Sequence, residues 1–395
     1  TGEATVAVEY LRRATRLQPK NWAFKGNLAS ALMETGDLDG ARTMFQRAAQ
    51  LKPDAPQFQT GIANCYAMQG KLADAEKQLR TVTQRFPQFA LAWFNLGNVQ
   101  RDQGNLRRAI EHYAHAVALD PGLIDARNNL GASLLAVGKT EDAENAYREA
   151  LQLRPDDIQL LCNLASVLID RGRFADAESQ CRRAIELAPD SATAHSFLGA
   201  AIGHQGRLLE ALEIHRKAAE LAPNDVRALV AFGTALAELG NTAEGIPILK
   251  RAADLAPDVW QTRAALGTIQ LSDGNFAEGW EGYYYRTGRT AFAKQFPGLN
   301  IAQQLPASIA GKKIVLLNEQ GLGDQLFLLR WLPLIKARGA ALAYRPDAKL
   351  ESIIRRTALL DAVIPSTDPL PAADFHVMLG DLPYLACHNA DGTRL

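Results

Sequence analysis

An acidic residue in a glycine-containing segment is one feature of this chain that could support catalysis. Asp324 follows Gly321 and Gly323, after the apolar run 314–317 and before an amphipathic segment. In parallel-sheet folds such a strand–turn–helix segment lies at the edge where ligands bind. The carboxylate could take a proton from an attacking hydroxyl or amide, while the glycines form a substrate loop whose helix start faces an anion. The alternative is that Asp324 only caps the helix.

Other residues that could act in catalysis or metal binding are scattered along the chain. Glu319 and His376 lie near predicted strand ends and are further candidates for acid–base catalysis. His112 and His115 lie three residues apart on one predicted helix, but without cysteine or carboxylate neighbours no metal site is expected there. The cysteines show no CxxC spacing and indicate reduced thiols in a cytoplasmic protein. They are Cys65, Cys162, Cys181 and Cys387.

Four asparagines share one position of a 34-residue period. They are Asn27, Asn95, Asn129 and Asn163. A carboxamide donates and accepts hydrogen bonds together, so a row of them can clasp an extended peptide backbone of any sequence. The alternative is that each asparagine bonds to its neighbouring helix. Because the series breaks at Gly61 and ends after Asn163, a clasp would serve the N-terminal half of the repeats.

The composition limits the classes of partner. The 395 residues carry 43 Lys+Arg and 43 Asp+Glu, so the formal net charge is zero, which argues against nucleic acid as the main partner. No apolar run approaches the length that spans a bilayer, so no membrane span is expected. The chain begins with Thr1 inside a repeat and shows no signal-peptide pattern, which indicates a piece of a longer protein.

Prolines and glycines each recur at a constant interval of 34 residues, which is typical of stacked repeats. The prolines are Pro19, Pro53, Pro87, Pro121, Pro155, Pro189, Pro223 and Pro257, and the glycines are Gly36, Gly70, Gly104, Gly138, Gly172, Gly206, Gly240 and Gly274. The glycines follow a first helix and the prolines follow a second. The spacing predicts helices over 90–103 and 106–119, a half repeat over 3–18, and eight repeats over 22–289.

The best-formed unit carries a family pattern. Its residues are Trp93, Leu96, Gly97, Ala109, Tyr113, Ala116 and Pro121. This pattern resembles the tetratricopeptide repeat, with a late aromatic replaced by Gln100. The resemblance implies a superhelical solenoid whose inner face holds a protein or peptide. The array also resembles the O-linked N-acetylglucosamine transferases, whose asparagine ladder holds protein substrates. Repeat arrays often pair, so a homodimer is left open.

A different pattern follows the repeats. The aromatic segment 280–286 suggests an altered final helix that covers the open end of the array, and 290–311 is predicted to connect it to a second domain. Short apolar runs alternate with helical segments in the manner of a doubly wound sheet. The predicted strands are 314–317, 341–344, 362–364 and 375–379, and the predicted helices are 325–338 and 348–357. The fold class is therefore mostly α, a solenoid followed by a partial α/β Rossmann-like domain.

The segment NEQGLGDQLFLLRWLPLIKARGA, followed by DAVIPS and ADFHVMLGDLP, resembles the N-terminal half of a heptosyltransferase-like GT-B glycosyltransferase. The resemblance implies that Gly323 and Asp324 supply the catalytic base and that 312–395 is a truncated half-domain. It also implies a bacterial protein glycosyltransferase whose nucleotide-sugar donor binds beyond residue 395, so this chain would hold no cofactor and would not catalyse transfer alone. The alternative is a non-catalytic scaffold or assembly factor with a degenerate α/β cap.

Overall fold

The structure is a computed structural model, which describes residues 2–286, 289, 299, 301–306, 308–357 and 359–387. The contacts divide the chain into two compact units, Thr1–Gln205 and Gly206–Leu395. This division falls inside a repeat, between its two helices. The predicted domain boundaries at residues 289 and 311 therefore remain predictions.

The first unit is built from antiparallel helical hairpins. Helices of 13 and 14 residues alternate after a first helix of 16, and the predicted hairpin over 90–119 is confirmed. The helices are α1 (Gly2–Leu17), α2 (Trp22–Glu34), α3 (Leu38–Leu51), α4 (Pro56–Met68), α5 (Leu72–Arg85), α6 (Ala90–Asp102), α7 (Leu106–Leu119), α8 (Ile124–Ala136), α9 (Thr140–Leu153), α10 (Ile158–Asp170), α11 (Phe174–Leu187) and α12 (Ala192–His204).

Glycine and alanine set the geometry of each hairpin. Gly104 has a φ of 81°, a left-handed conformation that other residues rarely adopt, and it ends α6 so that the chain can reverse. A Cβ added to Gly97 would lie 2.6 Å from the ring of Tyr113, so glycine lets α6 and α7 pack closely. Ala109 is fully buried at this contact. The predicted position of Gly104 just after a first helix is confirmed.

Acidic side chains join successive hairpins of the first unit. Gln103 Nε2 donates to Glu76 Oε2 at 3.1 Å, across two neighbouring repeats. Glu144 accepts from Arg148 at 2.8 Å, from Arg173 at 2.6 Å and from Arg171. Burial raises the pKa of the Glu144 carboxyl, but the bond from Arg148 and the other arginine charges outweigh burial and lower it. The ionised carboxylate therefore fixes the stacking of these repeats.

The second unit continues the hairpins and adds a sheet. Its repeat helices are α13 (Leu208–Leu221), α14 (Val226–Glu238), α15 (Thr242–Leu255), α16 (Trp260–Ser272) and α17 (Phe276–Tyr283). Four parallel strands follow in the order β3-β2-β1-β4. The strands are β1 (Lys313–Leu317), β2 (Ala341–Arg345), β3 (Ala362–Val363) and β4 (Phe375–Met378). Trp280 of α17 packs against the sheet core, as expected for a final helix that covers an end.

The helices of the α/β region differ from prediction. The single helix expected over 325–338 is wrong, because the chain forms α18 (Leu322–Leu328), a 3-10 turn and then α19 (Leu332–Ala337). Pro333 lacks an amide hydrogen and lies in the first turn of α19, where none is needed. The helix expected over 348–357 shortens to α20 (Glu351–Ile354), and α21 (Leu382–Cys387) closes the described region.

Part of the predicted connector belongs to the core of the sheet. Ala302, Leu305 and Ile309 are buried with residues of β1, β2 and β4. Ala302 also donates its backbone N–H to the His376 carbonyl at 2.8 Å. Residues 290–298 of that predicted connector and residues 388–395 lie outside the described residues.

Candidate functional site

The first three repeats form a pocket of about 340 Å³. Residues of α2 and α4 supply most of its lining, with one residue each from α3 and α6. Every described residue that lines it is uncharged. Its polar lining side chains are Asn27, Ser30, Gln57, Thr60 and Asn64.

Two glycines create room for aromatic rings in this pocket. A Cβ on Gly26 would lie 2.5 Å from the Phe58 ring, and one on Gly61 would lie 2.7 Å from the Phe45 ring. Any larger residue would therefore displace a ring. Gly61 is the position at which the asparagine series breaks, and the structure shows that the break brings Phe45 into the pocket lining. Sequence analysis treated this glycine only as an interruption.

Trp22 forms an exposed wall of the same pocket. Trp22 is 37% exposed, and its ring centroid lies 5.8 Å from that of Phe58 in a tilted arrangement. Lys52 Nζ lies 4.2 Å from the Trp22 ring centroid, close enough for a cation–π interaction that holds the indole. Leu91, at the start of α6, is 40% exposed and adds apolar surface. Trp22 and Leu91 together therefore give this pocket an apolar wall that is partly open to solvent.

The four predicted ladder asparagines have different surroundings. Asn27 is exposed in the pocket, whereas Asn95 is buried and its Nδ2 lacks a hydrogen-bond partner. Asn129 Nδ2 donates to Asn98 Oδ1 at 2.9 Å, and Asn163 Nδ2 donates to Asn128 Oδ1 at 2.8 Å. The last two therefore match the alternative in which each asparagine bonds to a neighbouring helix. A peptide-binding role for the four stays a prediction.

In the second unit, Asp324 is exposed in the first turn of α18. The helix begins at Leu322, with Gly321 as the N-cap and without a side-chain cap hydrogen bond. Asp324 is thus the third residue of the helix and not its cap. Gly321 has φ −62° and ψ 163°, and a Cβ added to Gly323 would meet no atom within 4 Å. Neither position therefore requires glycine, and the substrate loop predicted at Gly321 and Gly323 stays a prediction.

Glu319, the second predicted acid–base residue, is held in a buried ion cluster. Its side chain is 2% exposed and pairs with Arg286, whose Nε lies 3.0 Å from Glu319 Oε1. The Gly380 amide donates to the same oxygen at 3.2 Å, while Glu319 Oε2 is buried without a partner. Arg286 and the Gly380 amide therefore both contact Glu319 Oε1, and a role for Glu319 as a base stays a prediction.

Asp381 is the second carboxylate of this ion cluster. Its side chain is fully buried, and its oxygens accept from Arg286 Nη1 at 2.7 Å and from Arg289 Nε at 3.0 Å. Burial raises the pKa of the Asp381 carboxyl although the two guanidinium groups oppose this shift. Glu319 follows β1 and Asp381 follows β4, so Arg286 joins the carboxyl ends of two adjacent strands. Sequence analysis included Arg286 only in the aromatic segment 280–286 and did not single out Asp381.

His376 lies apart from the other predicted acid–base residues. It aligns with Val315 in the register of β4 and β1, two residues before the end of each strand. Its Nε2 is buried without a partner, and burial lowers its pKa although a bond with the Pro371 backbone raises it. Arg286 therefore brings Glu319 and Asp381 together, whereas His376 lies within β4 and outside this cluster.

A buried glutamine was missed by sequence analysis. Gln325, at the start of α18, accepts from the Tyr344 hydroxyl at 2.9 Å and from the Asp347 amide at 3.1 Å, and it donates to the Gln320 carbonyl at 3.0 Å. A polar residue inside an amphipathic segment gives no signal of this network. Gln325 thereby fixes the loop after β1 against the end of β2.

The described part of the chain offers no cluster of three or more residues suited to hold a metal ion. His112 and His115 instead lie against Trp93, with ring centroids 5.6 and 4.3 Å away. Within the same residues no helix has the length and apolar character to cross a bilayer. Cys65, Cys162 and Cys181 are buried free thiols, whereas the Cys387 side chain lies outside the described part.

Comparison with known proteins identifies the repeats. Residues 21–230 match the family described as the cilia and flagella-associated protein 70 C-terminal domain, and residues 230–291 match a tetratricopeptide repeat family. No curated protein matches the chain.

Solved structures show the same repeat fold. A chain of the APC/C hetero-tetramer Cut9–Hcn1 matches with a TM-score of 0.53 and 17% identity, over 66% of this chain and 52% of that one. A tetratricopeptide repeat protein from Parabacteroides merdae matches with a TM-score of 0.51 and 14% identity, over 63% of this chain and 98% of that one. At these identities the likeness concerns the fold alone.

Proposed function

Because the chain belongs to the tetratricopeptide repeat family described as the cilia and flagella-associated protein 70 C-terminal domain, we propose that it is a protein-binding scaffold. Repeat arrays of this kind present extended surfaces that bind other proteins. The observation that carries the proposal is the pocket on α2, α4 and α6, where exposed Asn27 lies beside Trp22. A partner segment would bind there through apolar and carboxamide contacts.

We infer that the α/β region acts as a structural cap on the last repeats. In open parallel sheets, ligands bind where the strand order reverses, outside the carboxyl ends of the strands. In the order β3-β2-β1-β4 that position lies between β1 and β4. Arg286, which follows α17, pairs there with Glu319 and Asp381. The position that a ligand would need is thus filled by a residue from the end of the repeats.

Glycosyl transfer is the second candidate, and one observation favours it. Asp324 is exposed just after β1, where a GT-B catalytic base would lie. This candidate requires a Rossmann-like acceptor half in 312–395, a nucleotide-sugar donor bound by sequence beyond residue 395, and peptide substrates delivered by the repeats. Cytoplasmic location, a bacterial source and homodimerisation likewise remain predictions.

A paired experiment separates the two candidates. The purified chain is used to select peptides from a random library. The selected peptides are then incubated with radiolabelled nucleotide sugars and the full-length protein, including any sequence beyond residue 395. The scaffold proposal predicts saturable peptide binding without sugar transfer or hydrolysis. Transfer that is lost in Asp324→Asn would establish the enzyme instead, and failure to enrich any peptide would contradict the scaffold.

A further inference from the structure

The pocket of the first three repeats is specific enough in its chemistry to define its occupant. We propose that it binds one apolar side chain from an uncharged, extended segment of a partner protein, an inference that rests on the proposed scaffold function. The argument uses the aromatic lining, the polar rim and the absence of charge among the described lining residues.

The aromatic lining suits a single inserted side chain. Phe45 and Phe58 contribute buried rings, and Trp22 and Leu91 stay partly exposed beside them. The volume of about 340 Å³ lies near the lower end of the roughly 300–1,000 Å³ typical of small-ligand pockets. An aromatic or large aliphatic side chain with its adjoining backbone would fill such a space and bury apolar surface.

The polar rim suits the backbone of an extended segment. Among the described residues, the side chains of Asn27, Gln57 and Asn64 make no hydrogen bond within the protein. This distinguishes them from Asn129 and Asn163, whose amide groups donate to neighbouring helices. Carboxamides donate and accept together, so the three rim residues can pair with both the N–H and C=O groups of a peptide.

The charge of the lining argues against acidic or basic segments. A charged side chain that enters loses hydration, and no described lining residue offers an opposite charge to compensate for this loss. Lys52 lies 4.2 Å from the centroid of the Trp22 ring and is engaged with the indole. The favoured occupant is therefore neutral on both sides of its apolar anchor.

A blocked library tests this specificity on the full chain. The probe is a synthetic library of nine-residue peptides with acetylated N-termini and amidated C-termini. The selected peptides should share one aromatic or large aliphatic residue and should be depleted in Asp, Glu, Lys and Arg. Ser30→Trp, on the exposed rim, should fill the pocket and weaken binding of the best selected peptide at least 10-fold.

Matched variants keep the outcome interpretable. Ala132 is exposed on α8 at the repeat position of Ser30, so Ala132→Trp should change affinity less than 2-fold. If Ser30→Trp fails to fold, Asn64→Asp adds a charge to the rim and should also weaken binding, with Ala132→Asp as its control. Selection of charged peptides, or equal affinity for Ser30→Trp and Ala132→Trp, would overturn the pocket inference while leaving peptide binding intact. No enrichment at all would instead contradict the scaffold function.

Discussion

The periodic glycines of the repeats and the two glycines in the loop after β1 differ in their backbone conformations. The eight glycines at 34-residue intervals all have positive φ, between 72° and 85°, and each ends the first helix of a hairpin. Gly321 and Gly323, in the loop that resembles a catalytic segment, have no such requirement. A residue type repeated at one interval therefore reports a backbone constraint, whereas the same type in a single motif does not.

The two regions also differ in how polar groups are buried. In the first unit, Glu144 joins two successive hairpins through its ion pairs with Arg171 and Arg173. In the second unit, Arg286 joins Glu319 and Asp381 over 33 and 95 residues of sequence. Local order in the repeats follows from short-range patterns, while the sheet edge depends on distant partners.

The largest expected loss of stability follows from replacing Arg286 at this sheet edge. Arg286→Ala would leave the Glu319 and Asp381 carboxylates buried with less compensation, and breaking such a pair costs about 3–5 kcal/mol. The free energy of unfolding of the second unit, measured by hydrogen exchange of the β1 and β4 amides, should fall by this amount. Arg355→Ala is the control, because its pair with Glu351 is on the surface and contributes about 0–1 kcal/mol. Equal effects of the two variants would refute the cluster's role.

The stability of the chain should depend on pH through His215, a histidine at a repeat position that other residue types occupy. Buried His215 occupies the position that Tyr147 and Leu249 hold in other repeats, and burial lowers its pKa from 6.5 to about 4. Its neutral form is favoured in the folded chain, so stability is full above pH 6.5 and falls as the pH drops towards 4, by about 3 kcal/mol in total. His215→Leu should remove this component from unfolding curves measured between pH 7 and 4.

The matched control for that test is Tyr147→Leu, which changes packing at the corresponding position without removing a histidine. It should keep the wild-type slope of stability against pH. A slope that is unchanged in His215→Leu would show that this histidine does not titrate with unfolding.

A smaller gain in stability is expected from Gln100→Leu. Gln100 is fully buried in α6, and its side chain lies near the Glu76 carboxylate but makes no hydrogen bond of normal geometry. The cost of an unsatisfied buried group is about 1–3 kcal/mol, so removing it should raise the free energy of unfolding by a similar amount. The reciprocal change Leu134→Gln, at the same repeat position, should lower it. A loss of stability in Gln100→Leu would show that its amide has a structural role.

The smallest expected changes in stability come from replacing one glycine in each of the two regions. Gly104→Ala places a side chain at φ 81° and should destabilise the chain by about 1 kcal/mol or more. Gly323→Ala, in helical conformation with open space around it, should be neutral or stabilise by up to about 1 kcal/mol. Urea denaturation of both variants measures the difference, and equal losses would remove the distinction drawn between the two classes of glycine.

The sequence was a good guide to the repeats because each boundary is set locally. The predicted hairpin of α6 and α7 is confirmed within one residue, since Gly104 and the proline that follows α7 act on their own helices. The four strands were also predicted within two residues of their bounds. The break before Pro333 was not expected, and the partners of Gln325 and Asp381 depend on contacts that no local pattern encodes.

The candidate site was less predictable for the same reason. Asn27 was identified from the period, but the importance of Phe58 and Phe45 depends on the missing side chains at Gly26 and Gly61. The period also could not show that Asn129 and Asn163 donate to neighbouring helices. The resemblance predicted that Asp324 is a catalytic base. It did not show that Arg286 pairs with carboxylates at the neighbouring carboxyl ends of β1 and β4.

Hydrogen exchange of the full chain with and without a selected peptide tests the scaffold claim most directly. Saturating peptide should slow exchange in α2 and α4 and leave residues 319–325 unchanged. Protection confined to residues 319–325, with α2 and α4 unaffected, would contradict the claim and place binding at the α/β region.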